Sequence, residues 1–255
     1  MDFCKTERKG GILVVTMNNP DKLNALAPHS HEQMAKIFND FDADPDLHVA
    51  ILTGEGRAFC VGSDISAYVS KTNRPLPPEG GGGLTHNRKL SKPVIAAING
   101  LCMGGGFEIA LSCDILLADE TAEFALPEPK VGAAALGGGL VQLVNKLPPV
   151  LAMKLALTGD RLSAREALRL GLLCEVTAPG DVLQAALGVA EKMLACSPLS
   201  LRITREIMRR AIEGAPVDEI DALELTLREK SMQSADFAEG MSAFMEKRSP
   251  NWTGR

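Results

Sequence analysis

The sequence lacks any long hydrophobic run and any excess of basic residues. No stretch approaches the about 18 consecutive apolar residues of a membrane span. Residues 1–4 (MDFC) show neither the charged region nor the apolar segment of a secretory signal. The formal net charge is −5, which disfavours a partner as negative as nucleic acid. We therefore expect a cytoplasmic protein that binds neither membrane nor nucleic acid.

Metal and nucleotide motifs are also missing. The six cysteines form no C-x-x-C pair, and no nearby histidine completes a zinc pattern, so we expect reduced thiols and no metal ion. A P-loop needs Gly-Lys-Ser/Thr after its glycines, which the run Gly104–Gly106 does not have. A dinucleotide-binding G-x-G-x-x-G needs a third glycine where Ile109 stands. Both nucleotide interpretations are therefore disfavoured.

The composition is that of a globular protein with a sizeable core. The chain has 255 residues, of which 45% are hydrophobic and 23% charged, enough for one large domain with a helical appendage. Apolar patterns predict strands at 11–17, 48–53, 93–99, 114–118, 123–126 and 172–177. They predict helices at 28–41, 64–69, 105–112, 199–212, 217–230 and 236–247. Alternating strands and helices followed by helices alone indicate an α/β core with a helical C-terminal part.

The segment 71–83 (KTNRPLPPEGGGG) holds three prolines and four consecutive glycines, which predicts a loop. A flap over a pocket and a tolerated surface insertion are equally compatible with it.

Two glutamates stand at positions where the local backbone could fix a catalytic carboxylate. Glu108 follows three glycines that lead from a strand into a helix, and the free N–H groups of such a helix start can bind an anion. Taken alone, it is better explained as a first-turn glutamate that complements the helix dipole. Glu128 stands between Pro127 and Pro129, which predicts an extended, restricted backbone. Taken alone, it is better explained as a surface loop residue.

A third element is the loop Gly62-Ser63-Asp64, which follows an apolar stretch and feeds a helix. Taken alone, this loop is better explained as a turn in which Ser63 is the N-cap of the helix. The four histidines, at 29, 31, 48 and 86, stand outside these segments, and we expect surface or structural roles for them.

Together these segments closely resemble the enoyl-CoA hydratase/isomerase, or crotonase, superfamily. The resemblance covers nearly the whole chain, and the ordered set of motifs is highly specific. The matching residues are 24–26 (NAL), 58–65 (AFCVGSDI), 92–100 (KPVIAAING), 104–108 (GGGFE), 127–128 (PE), 157–160 (LTGD) and 239–248 (EGMSAFMEKR).

The resemblance implies an α/β fold in which ββα repeats wind into a spiral. It implies a core at 1–197 with the CoA and acyl sites, and a helical C-terminal oligomerisation region at 198–255. Trimers, often paired into hexamers, are typical of the family. The implied substrate is an acyl-CoA thioester of fatty acid metabolism, with no metal or redox cofactor.

The resemblance also implies a site. Family hydratases use two glutamates 20 residues apart, here Glu108 and Glu128, whereas isomerases usually keep only the second; having both favours syn hydration of a 2-enoyl-CoA. Glu128 would donate the C2 proton and Glu108 would orient the water. The oxyanion hole would be the backbone N–H groups of Ser63 and Gly105. The implied CoA-binding positions are Leu23, Ala25, Cys60, Asp64, Ile65 and Lys247.

Departures from the family pattern leave the acyl group and some alternatives open. Ala135 stands where proline is usual and Gln142 where arginine is usual, so the acyl pocket is not predicted. The segments 125–128 and 146–149 are similar to those of carnitinyl-CoA dehydratases, which gives one alternative; double-bond isomerisation is another. A non-catalytic RNA-binding member would need a lysine-rich first helix, but 28–41 contains only Lys36.

Overall fold

The computed structural model describes residues 2–66 and 75–255, and their strands lie in two sheets. The larger sheet contains, in spatial order, β1 (Cys4–Lys9), β2 (Ile12–Met17), β3 (Val49–Gly54), β5 (Val94–Ile98), β7 (Ile115–Asp119) and β10 (Glu175–Thr177). The smaller contains, in spatial order, β4 (Ala58–Cys60), β6 (Leu101–Met103), β8 (Glu123–Ala125) and β9 (Leu162–Ser163).

Helices cover the sheets and make up the C-terminal part. They are α1 (Pro28–Ala43), α2 (Gly105–Leu111), α3 (Gly139–Lys146), α4 (Pro149–Thr158), α5 (Ala164–Arg169), α6 (Val182–Leu194), α7 (Pro198–Ile212), α8 (Val217–Met232) and α9 (Ala235–Glu246). Short 3-10 turns occur at Pro20–Lys22, Gly81–Gly83 and Glu128–Val131. Across the described ranges, no helix is both long and apolar enough to cross a bilayer.

Successive repeats place one strand in each sheet, which confirms the expected ββα spiral. β3 is followed by β4, β5 by β6 and α2, and β7 by β8. The pairs β2–β3, β3–β5, β5–β7, β4–β6 and β6–β8 are all parallel. Parallel strands buried on both faces require continuous apolar sequence, which is why the runs at 12–15, 49–52 and 94–98 were recognisable. Phe38, Phe59, Phe107 and Phe124 fill the core between the layers.

Some elements differ from the prediction. β1 was not predicted as a strand, because its residues after Cys4 are exposed and mostly charged; such residues protect a sheet edge. Residues 67–74, which include the second half of the predicted helix at 64–69 and the start of the predicted loop at 71–83, lie outside the described part of the chain.

The end of the predicted loop, at 80–83, is buried, so it is not a surface insertion. A Cβ added at Gly83 would lie 2.4 Å from the Ala35 Cα.

The C-terminal helices leave large apolar side chains uncovered. Arg205 of α7 holds that helix against the core by donating to both carboxylate oxygens of Asp114, each at 2.9 Å. α8 has no buried residue along its described length. Its Leu225 is 66% exposed, and Phe244 of α9 is 82% exposed.

Candidate active site

Three loops meet at one edge of the smaller sheet. β4, β6 and β8 lie side by side and parallel, so the chain leaves all three strands at the same edge. Ser63 follows β4, Gly105 and Glu108 follow β6, and Glu128 follows β8. The Gly104 N–H donates to the Ala125 carbonyl at 2.9 Å and ties two of these exits together. The topology thus gathers residues that are far apart in sequence.

Glu108 is held against a glycine turn. Its side chain is buried, with 7% of the residue exposed, and its Oε1 accepts the Gly139 N–H at 2.8 Å. A Cβ added at Gly139 would lie 2.5 Å from the Glu108 Cγ, and one at Gly137 would lie 2.7 Å from Oε2. The carboxyl group therefore occupies space that only glycine leaves open.

Glu128 begins the 3-10 turn Glu128–Val131, so the predicted extended backbone was wrong. Pro129 takes the second position of this turn, where its missing N–H costs nothing because the first N–H groups have no partner within the turn. Lys130 fixes the turn: its N–H donates to the Pro127 carbonyl at 3.0 Å, and its Nζ donates to the Gly159 carbonyl at 2.7 Å.

Both carboxyl groups favour protonation more than ordinary glutamates do. Burial raises the pKa of Glu108, opposed by hydrogen bonds from the backbone N–H groups of Gly139 and Gly137 and by the charge of His86. Burial also raises the pKa of Glu128, and the negative charge of Glu108 adds to this effect. The Glu128 Oε2 is buried and has no hydrogen-bond partner within the described structure. One carboxyl group is thus fixed by donors, and the other keeps a free oxygen.

Two backbone N–H groups lie near Glu128, whose Oε1 would be 2.9 Å from a Cβ added at Gly104. Leu26 and Ser63 form a parallel bridge in which the Leu26 N–H donates to the Gly62 carbonyl and the Asp64 N–H donates to the Leu26 carbonyl. The Ser63 N–H therefore points away from Leu26. The Gly105 N–H begins α2 and has no partner within that helix. A Cβ added at Gly105 would lie 3.9 Å from the Ser63 nitrogen, so the two donors are neighbours.

The positions predicted to bind CoA separate into two groups. Leu23, Ala25, Cys60, Asp64 and Ile65 lie along the two segments joined by the Leu26–Ser63 bridge. Cys60 is fully buried, whereas Ile65 is 67% exposed. Asp64 accepts from the Lys22 Nζ at 2.8 Å; this bond and those from Ser66 lower the pKa of Asp64 to about 2.

Lys247 lies elsewhere in the chain. It ends α9 in a left-handed conformation and is exposed. The paired hydrogen bonds from Arg248 to Glu239, at 2.6 and 3.0 Å, pin this turn. Within the described residues, no hydrogen bond links Lys247 to the bridge segments.

Sequence reasoning gave no role to Asn24. It is fully buried with φ 57°, and its Nδ2 donates to the carbonyls of Ala58 at 2.8 Å, Phe59 at 3.2 Å and Glu55 at 3.0 Å. The available signal was that Asn24 is the first residue of the matched motif 24–26 and directly follows Leu23. His86 was also missed as a neighbour of Glu108; its Nδ1 lies 3.1 Å from the Thr85 Oγ1.

A cavity of about 380 Å³ lies one helical turn beyond Glu108, between α2, α3 and α7. Thr85, Ser112 and Gln142 line it together with apolar side chains and with charged ones such as Asp114 and Arg205, whereas Glu108 and Glu128 do not line it. Ser112 is joined to the site because its Oγ donates to the Glu108 carbonyl at 2.8 Å. Gln142, a departure from the family pattern, thus faces this cavity rather than the carboxyl pair.

Comparisons with known proteins agree with this geometry. The sequence profile of the family described as enoyl-CoA hydratase/isomerase matches residues 7–255. The chain is 39% identical to a carnitinyl-CoA dehydratase of Salmonella typhi over 97% of each protein. It is similar to the crystal structure of an enoyl-CoA hydratase from Mycobacterium tuberculosis H37Rv, with 37% identity, a TM-score of 0.95 and complete coverage of both chains. An enoyl-CoA hydratase from Mycobacterium marinum gives the same identity, coverage and TM-score.

Proposed function

Because the chain belongs to the enoyl-CoA hydratase/isomerase family and is a hydro-lyase of the crotonase fold, we propose that it adds water to the double bond of a 2-enoyl-CoA by means of Glu108 and Glu128. The reverse reaction removes water from a 3-hydroxyacyl-CoA. Hydration changes no oxidation state overall, so we propose that no redox cofactor takes part. We propose that no metal takes part either, because two carboxyl groups and two backbone donors supply the acid–base and oxyanion chemistry, and that CoA enters with the substrate.

The contrast between the two carboxyl groups carries this proposal. Glu108 is fixed by the Gly139 N–H, which suits a carboxylate that orients a water molecule beside C3. Glu128 keeps a buried oxygen without a partner among the described residues, which suits a group that delivers a proton to C2. The negative charge of Glu108 raises the pKa of Glu128, which favours a state in which one of the two carboxyl groups holds a proton while the other is ionised.

The backbone donors would stabilise the intermediate. As water attacks C3, the thioester carbonyl oxygen takes on the negative charge of an enolate. We propose that this oxygen lies between the N–H groups of Ser63 and Gly105. Losing one such donor costs about 10²–10³-fold in kcat. Because the donors are main-chain groups, serine at position 63 serves as well as the alanine common in hydratases.

CoA would lie along the bridge segments. We propose backbone contacts at Leu23, Ala25, Cys60, Asp64 and Ile65. Lys247 would approach CoA from a neighbouring copy in a trimer. The exposed apolar side chains of the region 198–255, Leu225 and Phe244 among them, support self-association, because large uncovered apolar patches mark interfaces.

A second candidate is dehydration of a 3-hydroxyacyl-CoA with a polar acyl group. The 39% identity to a protein named carnitinyl-CoA dehydratase supports it. It uses the same glutamates and differs only in the acyl pocket.

The deciding experiment is a turnover screen over crotonyl, long-chain, branched, aromatic and carnitinyl CoA thioesters, with a 3-enoyl-CoA to detect isomerisation. Wild type should hydrate or dehydrate at least one of them. Glu108→Gln and Glu128→Gln should each lower kcat by at least about 10²-fold, the usual contribution of general acid–base catalysis. A well-folded Glu108→Gln protein with full hydratase turnover, or isomerisation alone, would contradict the proposal.

A further inference from the structure

The Cys60 thiol lies between the two segments that frame the Ser63 donor. Its Sγ–H donates to the Asn24 carbonyl at 3.1 Å, and the Gly62 N–H donates to Sγ at 3.4 Å. Cys60 has no exposed surface. One side chain thus connects the 23–26 segment to the loop that carries Ser63.

The protonation state of the thiol suits this contact. Burial raises the pKa of Cys60 to about 12, although the Gly62 N–H opposes the shift. The sulfur therefore keeps its proton at neutral pH and can donate it. A buried neutral thiol is a poor nucleophile and a poor metal ligand, so its two hydrogen bonds indicate a positioning role.

Gly62 has a backbone conformation in this loop that requires glycine. Its φ is +91°, in a region that glycine adopts freely and other residues rarely do. A Cβ there would lie 2.9 Å from the Gly105 nitrogen, so the close approach of the two donors also requires glycine. The peptide between Gly62 and Ser63 is held on its carbonyl side by the Leu26 N–H at 2.8 Å. The preceding peptide, which carries the Gly62 N–H, is held by Cys60.

We propose that Cys60 is a positioning residue, whose thiol ties Asn24 to Gly62 and thereby aims the Ser63 N–H at the thioester oxygen. The proposal rests on the proposed function, because it takes Ser63 as an oxyanion donor. It gives the Cys60 side chain a part in kcat, whereas a CoA contact at this position affects KM.

The test compares Cys60→Ala with Cys60→Ser and with Cys113→Ala. Cys113 is a matched control: it is also buried, and within the described residues its thiol donates a hydrogen bond to the Ile109 carbonyl one helical turn earlier, at 3.5 Å. Serine retains a donor and an acceptor at position 60. Steady-state kcat and KM are measured on the best enoyl-CoA substrate, and thermal unfolding is followed for each variant.

A second measurement requires no turnover. Acetoacetyl-CoA forms an enolate whose near-ultraviolet absorbance rises when the oxyanion is stabilised, and this is read at equilibrium on wild type and variants. Cys60→Ala should lower kcat by about 10- to 100-fold, a part of the loss caused by removing a whole donor, with KM nearly unchanged and a weaker enolate signal. Cys60→Ser should recover most of both, and Cys113→Ala should keep them.

Several results would overturn the proposal: wild-type kcat and enolate signal in Cys60→Ala, an equal loss in Cys113→Ala, a change in KM alone, or a well-folded Cys60→Ser protein without activity. If Cys60→Ala does not fold, Cys60→Ser decides: kcat and enolate signal close to wild type support the proposal, and a well-folded protein without activity overturns it. If wild type hydrates no substrate but Cys60→Ala weakens the enolate signal, the proposed function fails while the positioning role stands. If wild type hydrates and Cys60→Ala matches it, only the positioning role fails.

Discussion

Replacing Gly139 by alanine should displace Glu108 without straining the main chain. Gly139 starts α3 outside the left-handed region, so alanine fits its backbone. The added Cβ would lie 2.5 Å from the Glu108 Cγ, 0.9 Å short of the 3.4 Å at which ordinary contact begins. Misplacing a catalytic group by about 1 Å costs roughly 10²-fold. That factor equals about 2.7 kcal/mol of transition-state stabilisation.

The assay is kcat on the best enoyl-CoA substrate, together with thermal unfolding to show that the variant folds. Gly188→Ala is the control, because a Cβ at this position in α6 meets nothing within 4 Å. It should keep wild-type kcat and gain about 0.5–1 kcal/mol of stability. A folded Gly139→Ala protein with wild-type kcat would refute the reasoning, since the present position of Glu108 would then be unnecessary.

Three further predictions concern the surroundings of the site. The pKa of Glu128 is raised above its usual 4.5. The stability that protonated Glu128 contributes to the fold is therefore fully present below pH 4.5 and is lost as the pH rises through the pKa of the folded state. Glu128→Gln should raise Tm relative to wild type more at pH 8 than at pH 5, and a pH-independent difference would contradict this. Asn24→Ala removes the hydrogen bonds from Asn24 to the buried carbonyls of Ala58 and Phe59 and should cost about 3 kcal/mol in urea denaturation; a loss below about 1 kcal/mol would refute the role. Lys130→Met removes the bond to Gly159 and should lower kcat about 3- to 10-fold through misplacement of Glu128, with a Tm change too small to explain it; unchanged kcat would contradict it.

The strands and helices that show a clear pattern of apolar residues were the ones predicted best from the sequence. Continuous apolar runs identified β2, β3 and β5, because parallel strands are buried on both faces. The glycine run before Glu108 predicted a strand-to-helix turn, and α2 begins at Gly105. The fold itself was predictable only through the family resemblance, since no local pattern specifies the stacking of repeats.

The contacts that complete the site depend on tertiary packing and could not be predicted. Gly137 and Gly139 meet Glu108 across about 30 residues because α3 packs on α2. The turn at Glu128 was mispredicted, because local rules for prolines ignore the bond from Lys130 to Gly159. Asn24 bonds to carbonyls more than 30 residues away, and no spacing rule describes such a contact.

The proposed use of main-chain donors predicts which positions of the site tolerate substitution. Every residue type except proline presents the same N–H group, and the Ser63 side chain is exposed, so any substitution at position 63 other than proline leaves the proposed donor in place. Gly137 and Gly139 supply no side chain, yet even a methyl group there would collide with Glu108. We therefore expect position 63, which is proposed to stabilise the enolate, to tolerate substitution, whereas positions 137 and 139, whose glycines lie against Glu108, should not.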